Sequence, residues 1–172
     1  QITYEIWNFL ALTLDAIAIA GQSMIGRFLG AEDLPTARGA GRRMIWWGLW
    51  AGVLMMVLVA AGHAWLPRIF SSDPAVVVLA GELLLIAALL QPISGVVFVL
   101  DGLLIGAGDM RFLAYAMVAG FVVFAVAAAV LLVTGASVLW LWSAIGLLML
   151  TRLVTLGWRW RGDRWAITGA TR

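Results

Sequence analysis

Charged and strongly polar side chains fall in clusters along this chain, and the apolar stretches between them exceed the roughly 18 residues that mark a candidate membrane-crossing helix. The first stretch covers residues 6–29 and closes on Gly30, a residue suited to a left-handed helix stop. Residues 30–43 are polar. Within them Asp33 and Pro35 predict a helix that starts in water and enters the membrane near Met44, giving a second span over 44–67. Ser71, Ser72, Asp73 and Pro74 predict a cap followed by a first-turn proline, which launches an apolar run over 75–106 that Gly106, Ala107 and Gly108 end. A fourth span covers 112–133, a turn over 134–137 reverses the chain, and a fifth span covers 138–158. Residues 1–161 therefore predict one transmembrane bundle, and 162–172 an arginine-rich tail.

The run over 75–106 is long enough to be one kinked helix or two short ones broken at Gln91 and Pro92. Arginine placement decides between these, because basic residues in short loops favour the cytoplasm. With five spans, one side receives Arg27, Arg38, Arg42, Arg43, Arg111, Arg159, Arg161, Arg164 and Arg172, and the other receives Arg68. Splitting the run would reverse Arg111 and the whole tail. One kinked helix and a cytoplasmic C terminus are expected. Tryptophans mark the same edges: Trp46, Trp47 and Trp50 at the inner end of span two, Trp65 at its outer end, and Trp140 and Trp158 at the ends of span five.

Composition agrees with an all-α polytopic membrane protein of five transmembrane helices. Hydrophobic residues make up 64% of the 172 and charged ones 12%, with a mean hydropathy of +1.04, more apolar surface than a soluble domain can bury. There is no cysteine, so thiolate chemistry and cysteine metal sites are excluded. A net charge of +2, scattered along the chain, does not make a nucleic-acid surface. Enzymatic readings find no footing. Asp101, Gly102 and Asp109 only faintly match the acidic motif of membrane phosphoalcohol transferases, His63 has no serine in a nucleophile-elbow context, and residues 39–43 lack a P-loop lysine. No cofactor and no metal is implied. The lone His63, beside Trp65, reads as an interfacial side chain. The chain opens on Gln1 with no signal peptide, which reads as a fragment of something longer.

Polar residues inside the spans carry the functional signal. A carboxylate at a span centre costs about 2.5 to 3.5 kcal/mol, so it needs a partner, a proton or a wet cavity. Asp15 sits near the middle of span one, and Asn8, Asp15 and Gln22 recur every seven residues on one helix face. Gln91, Ser94 and Asp101 repeat the pattern in span three beside Pro92, where a missing backbone donor frees a carbonyl. Each set reads either as helix-packing hydrogen bonds or as the lining of a transport route, and Asp101, near the inner interface, also as the partner of an arginine. Glu82 reads as interfacial. Gly48 with Gly52, and Gly102 with Gly106, each match Gly-x-x-x-Gly, which permits close helix approach.

Several stretches resemble one family. The segment 14–22, Leu-Asp-Ala-Ile-Ala-Ile-Ala-Gly-Gln, followed by Gly26-Arg27-Phe28-Leu29-Gly30-Ala31-Glu32-Asp33, resembles the eighth helix of multidrug and toxic compound extrusion (MATE) transporters. Ser72-Asp73-Pro74 resembles an outer turn of that family, and Gln91-Pro92 with 98–109 resembles its DinF-like branch. The resemblance covers residues 1–161, corresponding to helices eight to twelve of twelve.

The resemblance implies most of one six-helix lobe of a two-lobed secondary antiporter in a plasma membrane of the bacterial inner-membrane kind. Cationic or amphipathic compounds would leave against inward protons or sodium ions. The implied partners are membrane lipid, the coupling ion, a small substrate and the missing N-terminal lobe. On this reading Asp15, Asn8, Gln22, Gln91, Ser94 and Asp101 line the substrate or ion route. Ser94 stands near where some branches carry a coupling acid, and serine carries no charge, which puts coupling through that position in doubt. Two alternatives stay open: a lipid-linked precursor flippase of the same superfamily, and a membrane scaffold subunit without transport.

Overall fold

The computed structural model describes residues 1–168 and holds five long helices, each long and apolar enough to cross a bilayer: α1 (Ile2–Gly30), α2 (Leu34–Gly62), α3 (Pro74–Gly106), α4 (Met110–Val133) and α5 (Val138–Arg161). A short 3-10 helix, Leu66–Ile69, follows α2. The start signals act as the sequence predicts. Asp33 caps α2 by accepting from the Thr36 amide at 3.1 Å, and Asp73 caps α3 by accepting from the Ala75 amide at 2.9 Å, with proline in the first turn of each. Hydrogen bonds from Thr36, side chain and backbone, hold the exposed Asp33 carboxyl below the usual carboxylate range.

One expected stop moves. Gly30 lies within α1, and the left-handed residue that ends the helix is Glu32, with φ of 60°. The Asp33 amide then reaches back to the Phe28 carbonyl, so the turn needs its left-handed residue after Ala31, wherever glycine happens to stand. At the end of α3 the same geometry falls on a glycine, Gly108, with φ of 71°.

The third helix is the centre of the bundle. It runs unbroken through Pro92, and fifteen of its 33 residues are buried, against three of 24 in α4. It packs against α1, α2 and α5, while α4 packs chiefly on α5 and turns Tyr115, Val118, Phe121 and Val126 outward. Both Gly-x-x-x-Gly pairs lie at its crossings. A Cβ on Gly48 would stand 2.5 Å from the Gly95 carbonyl oxygen, and one on Gly52 would run into the Gln91 carbonyl. On the other side, Gly102 and Gly106 admit the backbone of α1 at Ala18 and Gln22.

Six tryptophans, Trp46, Trp47, Trp50, Trp65, Trp140 and Trp158, are exposed on the bundle surface, in keeping with rings at a membrane interface. Of the other four, Trp165 is buried and Trp7, Trp142 and Trp160 are half-buried. Trp7 meets Trp142 edge-on at 6.3 Å, and Trp160 stacks on Trp165 at 4.2 Å.

That last pair alters the picture of the tail. Beyond α5 the chain folds back, and Trp165 is fully buried, its Nε1 donating to the Trp160 carbonyl at 3.0 Å. Asp163 pairs with Arg38 at the start of α2, and Arg159 holds Asp109, on the turn before α4, through two hydrogen bonds of 2.5 and 3.1 Å. Arg172, counted with the tail arginines, lies outside the described residues. Trp165→Ala is expected to free this strap. A local loss of about 1.4 kcal/mol already opens it about tenfold more often, so trypsin should cleave at Arg161 and Arg164 about tenfold faster or more. An unchanged cleavage rate would show that the stack does not hold the strap down.

Candidate functional site

The intramembrane acids sort into two settings. Asn8 and Asp15 lie on the exposed face of α1 and Gln22 is half-buried, so the seven-residue stripe does run along one side of the helix. Gln91 and Ser94 are each 1% exposed, enclosed where α2 crosses α3, so in this arrangement neither faces an open cavity. The reason is local. Gly52 seats against Gln91 and Pro92, and Gly48 against Gly95, which brings α2 down over this stretch of α3. Gln91 Nε2 donates to the Ala87 carbonyl at 3.1 Å, whereas Gln91 Oε1 and Ser94 Oγ have no partner among the described residues.

Asp101 is the exception on α3. Its Oδ2 accepts from the Arg152 guanidinium of α5, both side chains 13% exposed, while its Oδ1 is buried without a partner among the described residues. Arg152 reaches it by lying across α4, where its Cγ would stand 3.3 Å from a Cβ on Gly120. Asp15, on the neighbouring face of α1, is close enough to Asp101 to act on it electrostatically. Asp101 and Arg152 thus form one buried pair between α3 and α5, with Asp15 on the exposed side of α1 and outside ion-pair distance of Arg152.

Arg152, inside the fifth span, is the partner of Asp101 that the arginines of the loops do not reveal. The signal was present: an arginine inside a span needs an acid as much as the reverse, and Asp101 is a candidate of matching depth. His63 takes no part. Its Nδ1 lies 2.7 Å from the Ala60 carbonyl at the end of α2, which identifies Nδ1 as the protonated nitrogen.

A model of the MatE family matches residues 1–131. This chain belongs to the MatE family. Among curated relatives, the MatE chain is 30% identical over 155 residues to Protein DETOXIFICATION 43 of Arabidopsis thaliana, covering 90% of the chain and 29% of the relative. It is 32% identical over 163 residues to Protein DETOXIFICATION 44, chloroplastic, of the same plant, covering 92% and 30%. It is 26% identical over 171 residues to Protein DETOXIFICATION 45, chloroplastic, covering 96% and 30%. The chain therefore spans about three-tenths of the length of the relatives it matches. No solved structure matches it significantly. The five apolar helices of this MatE chain make it a multi-pass membrane protein. The match shows the family, and the likeness to the DinF-like branch rests on Gln91, Pro92 and residues 98–109 alone.

Proposed function

We propose that this chain forms most of the C-terminal lobe of a cation-coupled exporter of cationic or amphipathic compounds, with Asp15, Asp101 and Arg152 on its coupling route. The observation that carries this reading is the charge balance of the cluster. With all three groups ionised, one negative charge is left over inside the bilayer, and low dielectric makes such a charge costly. A proton or a monovalent cation removes the cost, and a cationic substrate competes for the same charge. Asp15, unpaired among the described residues and on the exposed face of α1, is the group free to make that exchange. Asn8 and Gln22 extend the polar face above and below it. The arginine-rich face, with Arg27, Arg42, Arg43 and Arg111, supports a cytoplasmic C terminus.

Asp15→Asn in the full-length protein tests the reading. It removes the spare charge and keeps the side-chain shape. Uptake of a cationic dye into everted vesicles, the direction in which an exporter pumps there, should fall at least about tenfold, a transition-state or affinity loss of about 1.4 kcal/mol, with membrane levels unchanged. Unchanged efflux with an unchanged pH dependence would exclude Asp15 from coupling.

A further inference from the structure

The tail after α5 closes one end of the bundle with aromatic rings. Trp160, in the last turn of α5, lies against α2 at Gly41, where a Cβ would run into its ring and would also stand 3.3 Å from Leu103 Cδ1 of α3. Glycine at this position is what lets α2, α3 and α5 meet around the ring. Leu103 reaches the first helix as well, its Cδ2 lying 3.1 Å from a Cβ on Gly21. The chain then turns back after Gly162, and Trp165 stacks on Trp160 at 4.2 Å and 18°. Trp165 is fully buried in the apolar cluster that also holds Ile25 and Leu29 of α1 and Ala37 of α2.

This apolar layer lies between the buried Asp101–Arg152 pair and the arginine-rich end of the bundle. Leu103 stands two residues beyond Asp101 on α3, about 3 Å along the axis, and Trp160 eight beyond Arg152 on α5, about 12 Å. What holds the layer shut comes from outside the helices. Trp165 Nε1 donates to the Trp160 carbonyl, one of those that the end of α5 leaves without a helical amide. Asp163 pairs with Arg38 near the start of α2, and that pair is exposed, 43% for the arginine and 84% for the acid, so water and salt weaken it. Burial of the Trp165 ring therefore supplies most of the hold. A segment fixed by one ring and one exposed pair opens more readily than the helices it covers.

We propose that Trp160 and Trp165 form a seal on the arginine-rich side of the Asp101–Arg152 pair, and that residues 162–168 are the latch that keeps it closed. With the latch in place, water from that side does not reach the pair, and its two charges stay in low dielectric, where they attract strongly. With the latch open, Trp165 leaves the layer, and the path from the arginine-rich side ends on the pair. In the transport reading above, the tail is then the inner barrier of the lobe. The seal itself is a matter of water access and stands or falls without transport.

The chain contains no cysteine, so one introduced at Val97 reports by itself once any elsewhere in the full-length protein are replaced. Val97 is fully buried, one helical turn from Asp101 on the side away from the seal. In lipid nanodiscs, where both aqueous faces are open, a charged methanethiosulfonate should label Val97→Cys at least tenfold faster when Trp165→Ala is added. Gly41→Ala, which drives Trp160 off α2 and leaves the tail intact, should also raise the rate. Trp165→Phe, which keeps a ring in the stack, should not. Leu84→Cys, fully buried in the opposite half of α3, should label no faster with Trp165→Ala than without it. A Val97→Cys rate left unchanged by Trp165→Ala or, where that variant does not fold, by Gly41→Ala overturns the seal. An equal rise at Leu84→Cys overturns it too, since the whole bundle would then have loosened. Loss of the monodisperse peak in both variants does the same, because the rings would then hold the fold together and not merely close it.

Discussion

Replacing Gly95 with leucine is expected to abolish assembly of the bundle. Gly95 faces the α2 backbone so closely that even a methyl group at this position would overlap the Gly48 carbonyl. A backbone carbonyl cannot rotate away as a side chain can, so the two helices must separate, and the separation is felt at Gly52, Gln91 and Pro92 one turn on. In a bilayer, where lipid tails are as apolar as leucine, close packing supplies much of what holds helices together. The loss is therefore set above the usual overpacking cost, at about 3 kcal/mol or more. Gly95→Ala should show a smaller loss of the same kind. Gly157→Ala is the control, since nothing lies within 4 Å of a Cβ there. Fluorescence-detected size exclusion of a tagged full-length protein reads the result as loss of the monodisperse peak. A normal peak for Gly95→Leu would mean that α2 and α3 do not pack along this seam.

How much of this could be read beforehand depends on what each feature physically requires. Span number follows from length and hydropathy, which lipid enforces, and the two proline-aided starts follow from local hydrogen bonding at Asp33 and Asp73. Which face of a span is polar is equally local, so the Asn8, Asp15 and Gln22 stripe was visible. What covers a face is not local. Gln91 and Ser94 share a face with Asp101 in the sequence, yet the crossing of α2 encloses the first two, while the third is left for Arg152, 51 residues away. Likewise nothing near Trp165 in the sequence shows that it folds back onto Trp160. The Gly-x-x-x-Gly pairs lie between these cases. The motif marked Gly48, Gly52, Gly102 and Gly106 as able to pack closely, but their partners, Gly95, Gln91, Ala18 and Gln22, were set by tertiary structure.

The contact between Asp101 and Arg152 carries the second large effect. Arg152→Ala strands the Asp101 carboxylate in the bundle, and removing one member of a buried pair costs about 3 to 5 kcal/mol, so folded protein should be largely lost. Asp101→Ala strands the guanidinium instead and should be similarly damaging. Exchanging the two, Asp101→Arg with Arg152→Asp, restores a pair at the same depth and should recover the folded protein, though the longer side chain now starts from the crowded central helix. Neutralising both at once separates structure from transport. Asp101→Asn with Arg152→Gln removes both charges together, a change that buried pairs often tolerate, so the protein should fold. In that variant Asp15 is the one acid of the three groups that remains. If the three groups act as one coupling unit, efflux should collapse while the protein remains folded. If the pair is only a clasp between α3 and α5, efflux and its pH profile should both survive. Efflux measured on this one folded, charge-free pair therefore decides whether Arg152 belongs to the transport chemistry or only to the architecture around it.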